Sequence, residues 1–146
     1  MEKRPPCEPS SVAAMDIKLS TSFITVNDPD AALAFYRDVL GLEVRMDIPQ
    51  GEFRWITVGS PSQPDVAIVL SNYVDGSPED IEFIRALVAK GGMNAAHFSA
   101  SDVDAVFARA KEAGAEIVSE VADQPWGVRD CAFRDPSGNL VRVDQA

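Results

Sequence analysis

Apolar residues recur at two different spacings along this chain, and the two spacings alternate in a fixed order. Runs with strand-like composition cover 20–26, 42–46, 53–58 and 66–71, and again 94–100, 116–121, 128–134 and 140–143. Helical spacing appears between the first and second run of each set. There Ala32, Phe35, Tyr36 and Val39 share one face, and Val103, Val106, Phe107 and Ala110 share another. Asp28 and Asp102 stand where a side chain can accept hydrogen bonds from first-turn amides. Pro29 suits the first helical position, and Gly41 and Gly114 supply the left-handed residue that ends each helix. Asp28 lies 74 residues before Asp102, Asp30 lies 74 before Asp104, and Gly41 lies 73 before Gly114. One period relating both ends of two helices marks an internal repeat of the form βαβββ.

A third helical pattern breaks the symmetry. Ser77-Pro78-Glu79-Asp80 opens it, Ile81, Ile84, Leu87 and Val88 form its apolar face, and Gly91-Gly92 stops it. This predicts a packing linker over 77–91 between modules covering about 18–74 and 93–145. Residues 1–14, with Pro5, Pro6 and Pro9, read as a disordered tail ahead of one domain spanning 15–146.

The expected class is therefore α+β: two tandem βαβββ modules forming a curved mixed sheet with a concave cleft, helices on its outer face. Composition narrows the function. A chain of 146 residues with 46% hydrophobic residues needs no staples for its core. A net charge of −10 argues against a nucleic-acid partner, whose phosphates require a basic face. No apolar run is long enough to span a membrane. Cys7 and Cys131 form no disulfide framework, and a reducing, cytoplasmic setting is expected. With a single histidine there is no Ser-His-Asp logic, and no glycine-rich phosphate loop is present.

Two stretches carry a resemblance. Asp28-x-Asp-Ala-x-x-Phe35-Tyr36-x-x-x-Leu40-Gly41-Leu42 resembles the first-helix signature of the vicinal oxygen chelate superfamily, the glyoxalase/bleomycin-resistance/dioxygenase group. Gln124-Pro125-Trp126-Gly127-Val128-Arg129 followed by Phe133-x-Asp135-Pro136-Ser137-Gly138-Asn139-Leu140 resembles its closing hairpin, most closely in bleomycin-resistance-type members. The resemblance implies an open, curved eight-stranded sheet whose cleft is usually completed in a homodimer. In the superfamily's enzymes it also implies a divalent metal held by one His, Gln or Glu from each of four strands.

Carried over position by position, those four ligands fall at Thr21, Val69, Ala95 and Arg142, none of them a good divalent ligand. His97 stands two residues after Ala95, so alternation aims it into the same cleft, as a displaced ligand, a general base or a plain hydrogen-bonding group. Alternation also puts Thr21, Phe23 and Thr25 on the cleft side, and Arg142 opposite Val141 and Val143. Arg142 then needs a partner, either a carboxylate such as Glu52 or Asp130 or an acidic group on a ligand. Trp55, Phe53, Phe23 and Trp126 are the aromatic wall candidates. The expected ligand-binding set is thus Thr21, Phe23, Trp55, Val69, His97, Trp126 and Arg142.

The favoured expectation is a homodimeric protein that binds or sequesters a small organic molecule, of the drug-sequestering kind, with no cofactor or metal. The alternative is a metal-dependent lyase, isomerase or dioxygenase in which His97 belongs to an atypical ligand set for nickel, zinc or iron. A purely structural or regulatory role is a third.

Overall fold

In the computed structural model, which describes residues 15–146, the two repeated units appear in the expected order. The first comprises β1 (Thr21–Thr25), α1 (Pro29–Leu33, continuing as a π-helical segment Ala34–Val39), β2 (Glu43–Gln50), β3 (Phe53–Gly59) and β4 (Ala67–Ser71). Helix α2 (Pro78–Ala89) links it to β5 (Asn94–Ala100), α3 (Val103–Glu112), β6 (Glu116–Asp123), β7 (Arg129–Arg134) and β8 (Leu140–Gln145). The tail expected over 1–14 lies outside the described residues. No helix among those described is long and apolar enough to cross a membrane.

The caps form as their chemistry dictates. Asp28 accepts from the amides of Asp30 and Ala31, Ser77 from Asp80, and Asp102 from Ala105. Gly41 and Gly114 close their helices at φ +78° and +85°. The π-helical turn was not expected. Its wider ring, closed by the Leu40 amide on the Phe35 carbonyl, coincides with the burial of two consecutive aromatic residues, Phe35 and Tyr36.

Hydrogen bonding divides the strands into two four-stranded sheets rather than one of eight, in the orders β1-β4-β3-β2 and β5-β8-β7-β6. Each is mixed, with β1 parallel to β4 and β5 parallel to β8 and the remaining pairs antiparallel. Several strands outrun their expected limits. Strand β2 reaches Gln50 through Pro49, which it tolerates because it is a sheet edge.

One buried cluster spans both units. It joins Phe35 and Tyr36 of α1 and Val103 and Ala110 of α3 to one face of each sheet: Ile24, Ile56 and Leu70 from the first, Phe133, Val141 and Val143 from the second. The opposite faces of the sheets therefore open away from the shared core. That placement decides where a ligand could sit.

The turn between β7 and β8 ties the units together. Asp135 is buried, and its Oδ1 accepts the amides of Ser137, Gly138 and Asn139, each at 2.9 Å. Its Oδ2 accepts the Tyr36 hydroxyl at 2.7 Å and the Asn139 side-chain amide at 3.0 Å. Asn139 also donates to the Thr25 carbonyl, and the Ser137 hydroxyl accepts the Asn27 amide. Burial, and then the Asp135 carboxylate, push the Tyr36 phenol far above its ordinary range. The repeat also shows in its ion pairs. Arg54 on β3 bridges Asp30 of α1 and Asp47 of β2, and Arg129 on β7 bridges Asp104 of α3 and Asp123 of β6.

Candidate functional site

On the coreless face of the first sheet, four aromatic side chains gather beside polar residues that include Arg54 and Asp75. Phe23 and Trp55 meet edge to face with ring centroids 5.8 Å apart, and Phe53 and Tyr73 do so at 5.1 Å. With Gln50 and Ser71 they line a concavity of about 450 Å³. Met46 and Ile48, on the edge strand and in register with Thr57 and Trp55, extend the exposed apolar surface. Phe23 keeps 59% of its surface exposed and Trp55 39%, so among the described residues nothing covers this face.

The corresponding face of the second sheet is polar. His97, Gln124, Trp126, Asp130, Arg142 and Asp144 line a concavity of about 520 Å³ with Val118, Ser119 and Val128. Residues in register across the strands share a face, which puts His97 beside Arg142 and Asp130 opposite Asp144. Asp130 is buried. Its Oδ1 accepts the Gln124 side-chain amide at 2.9 Å, and its Oδ2 lies 3.5 Å from the Arg142 guanidinium. Trp126, in the turn after β6, is 70% exposed. Behind this face Cys131 is fully buried, and burial, reinforced by Asp130 and Asp104, pushes its thiol up to about 11. At neutral pH it is no nucleophile.

The expected site residues therefore fall into two groups. Phe23 and Trp55 come together in one concavity, His97, Trp126 and Arg142 in the other, and the two share no lining residue. Thr21, at the start of β1, is exposed and lines neither. Val69 sits in register between Phe23 and Thr57 with no accessible surface. Of the two carboxylates weighed for Arg142, the structure selects Asp130. Sequence reasoning passed over Gln124, Asp144 and Tyr73. Asp144 was readable from alternation, two residues beyond Arg142. Gln124 owes its place to the turn that folds it back onto Asp130. A separate groove of about 590 Å³ lies on the helix side, between α1 and the β7–β8 turn, and contains none of the expected site residues.

As donors to a divalent cation, a hydroxyl at Thr21, aliphatic side chains at Val69 and Ala95 and a guanidinium at Arg142 do not fit. Among the described residues, no three or more His, Cys, Asp or Glu side chains gather as a metal group. What the second concavity does offer is a guanidinium beside Asp130, a second carboxylate at Asp144, an imidazole and an indole face.

Residues 18–143, nearly all of the chain, match the family described as the Glyoxalase/Bleomycin resistance protein/Dioxygenase superfamily. The chain belongs to this superfamily. An uncharacterised relative, YurT of Bacillus subtilis (strain 168), is 32% identical over 129 residues, which is 88% of this chain and 99% of that protein. Among solved structures, UcmS2 is similar with a TM-score of 0.81 and 35% identity, over 90% of this chain and all of that one. TnmS3, an antibiotic binding protein from Streptomyces sp. CB03234, is similar with a TM-score of 0.69 and 28% identity, over 90% and 98% of the two chains. Superfamily membership fixes the fold and leaves the chemistry to the site, because this fold carries both catalysts and binders.

Proposed function

We propose that this protein is a metal-free binder of a small organic molecule, working as a cytoplasmic homodimer. Each of its clefts is built from the aromatic half-site of one copy and the polar half-site of the other. One observation carries the reading: the four positions that would ligate a metal hold Thr21, Val69, Ala95 and Arg142, and the last contributes a fixed positive charge. The likeness to an antibiotic binding protein supports the same direction. The two concavities supply the rest. A drug-sized molecule is usually held in a pocket of about 300–1,000 Å³ that covers most of its surface. Each concavity here is within that range but open, and exposed Phe23, Trp55 and Trp126 remain to be covered. Isologous pairing of two copies would set one half-site against the other twice over.

The test is elemental analysis of protein purified without chelator and again after dialysis against nickel, zinc and ferrous iron, alongside a thermal-shift screen of flat drugs and small polar aromatics. The reading expects no retained metal and at least one stabilising organic ligand. Near-stoichiometric metal that is lost in His97→Ala would overturn it in favour of a metal-dependent lyase, isomerase or dioxygenase.

A further inference from the structure

The polar half-site has an unbalanced set of hydrogen-bonding groups, and the imbalance points to a ligand class. Asp130 and Asp144 face each other directly across β7 and β8, an arrangement that like charges disfavour. Arg142, two residues before Asp144 on the same face, is the cation that offsets it. Asp130 can be buried because Gln124 holds one of its oxygens and Arg142 lies 3.5 Å from the other. That long contact is the only side-chain hydrogen bond Arg142 makes among the described residues. A guanidinium has five N–H donors, so most of its fork is unspent. Its side chain is 34% exposed, in the same concavity as the Trp126 indole.

The net charge of the lining then decides what those donors are for. The lining carries two carboxylates, Asp130 and Asp144, against one guanidinium, and the chain as a whole carries −10. A full anion would gain Arg142 but meet Asp144 and the surrounding field. A cation would gain Asp144 but approach the Arg142 guanidinium and leave its donors open. A neutral oxygen acceptor takes the donors without either penalty.

Resting on the small-molecule reading above, we infer that Arg142 recognises a neutral carbonyl-type oxygen on a flat aromatic ligand, with Asp130 and Gln124 as positioning residues that aim the guanidinium. Trp126 supplies the face against which the ring attached to that carbonyl lies.

The experiment uses four naphthalenes of similar shape in equilibrium dialysis against the full-length protein: 2-acetylnaphthalene (neutral acceptor), 2-naphthoate (anion), naphthalen-2-ylmethylammonium (cation) and 2-methylnaphthalene (no acceptor). The acetyl compound should bind about tenfold more tightly than the methyl compound, the size of one hydrogen bond from a charged donor. It should also bind more tightly than either ion. In Asp130→Asn/Arg142→Leu, which removes the pair together so that no buried charge is left alone, the acetyl and methyl compounds should bind equally. In Asp130→Asn alone, Arg142 loses its anchor. The acetyl-to-methyl ratio should fall several-fold, a change that general loosening of the fold would not give because it would weaken both compounds alike. Equal binding of the acetyl and methyl compounds to the wild type overturns this inference and leaves the small-molecule reading standing. A preference for naphthoate or for the ammonium compound that vanishes in the double variant overturns the neutral class. No binding of any of the four overturns the flat-ligand reading and this inference with it.

Discussion

Replacing Tyr36 by Phe removes one oxygen from the centre of the molecule and leaves the ring in place. That oxygen donates at 2.7 Å to the Asp135 carboxylate, 99 residues away in sequence, and both residues are buried. It is the direct link between the first helix and the turn of the second module. A hydrogen bond to a charged acceptor contributes roughly 1.5–3 kcal/mol. Asp135 keeps four other donors, so its charge is not abandoned and the lower part of that range applies, about 2 kcal/mol. The same bond has a signature at alkaline pH. Burial and Asp135 raise the folded-state pKa of Tyr36 above its unfolded value. Above a pH of about 10 the unfolded tyrosine therefore releases its proton while the folded one keeps it. The stabilisation is full below that pH and is lost above it, at about 1.4 kcal/mol per pH unit. The wild type should lead Tyr36→Phe by about 2 kcal/mol at neutral pH, and by about 1.4 kcal/mol less at pH 11. Urea titrations of both proteins at pH 7, 9, 10 and 11, followed by tryptophan fluorescence, measure the gap, and groups common to both proteins cancel. A gap that stays constant from pH 8 to 11 would show that Tyr36 ionises alike in both states. The buried link between the modules would then be wrong.

Other substitutions read other parts of the fold. Gly138 sits at φ +113°, and a Cβ there would run into the carbonyl oxygens of Val88 and Ala89 at the end of α2. Gly138→Ala should cost about 3 kcal/mol or more, read as a lower urea midpoint at unchanged slope. Arg45 donates to the carbonyls of Ser60, Gln63, Pro64 and Val66, and so pins the β3–β4 loop. Arg45→Met should open that loop to limited proteolysis between residues 60 and 66 well before global unfolding; a cleavage pattern matching the wild type would count against the pin. In a Cys7→Ser background, Cys131 should resist a thiol reagent at pH 8 until denaturant is added, because its thiol is buried and its pKa stands at about 11. Rapid labelling of the native protein would contradict that burial.

Local chemistry made the fold readable. Asp28, Ser77 and Asp102 act as caps because a short acceptor before an amphipathic run has little else to do, and the 74-residue repeat follows from two such caps. Alternation placed Phe23 and Arg142 outward and Ile24 and Val141 inward, as found. What local pattern does not encode is how one module sits against the other. Phe35 and Tyr36 give the same helical period whichever sheet they pack against. The Tyr36–Asp135 bond, the shared core and the division of the site into two concavities are consequences of that long-range choice. The burial of Val69 escaped for a related reason. Alternation gives the face of a residue, whereas its exposure depends on the bulk of its cross-strand neighbours, here Phe23 and Thr57. The π-helical turn was hidden because adjacent buried aromatics also fit an ordinary helix.

The central claim is that a working cleft takes one half-site from each of two copies, and a mixed dimer tests it most directly. One copy would carry Phe23→Ala/Trp55→Ala and the other Trp126→Ala/Asp130→Asn/Arg142→Leu, co-expressed with different affinity tags and isolated as the heterodimer. Both parent homodimers should fail to hold 2-acetylnaphthalene in equilibrium dialysis. The heterodimer, in which one cleft unites the two intact half-sites, should hold about one equivalent per dimer against about two for the wild type. A heterodimer as inactive as its parents would contradict the account and return the whole site to a single chain.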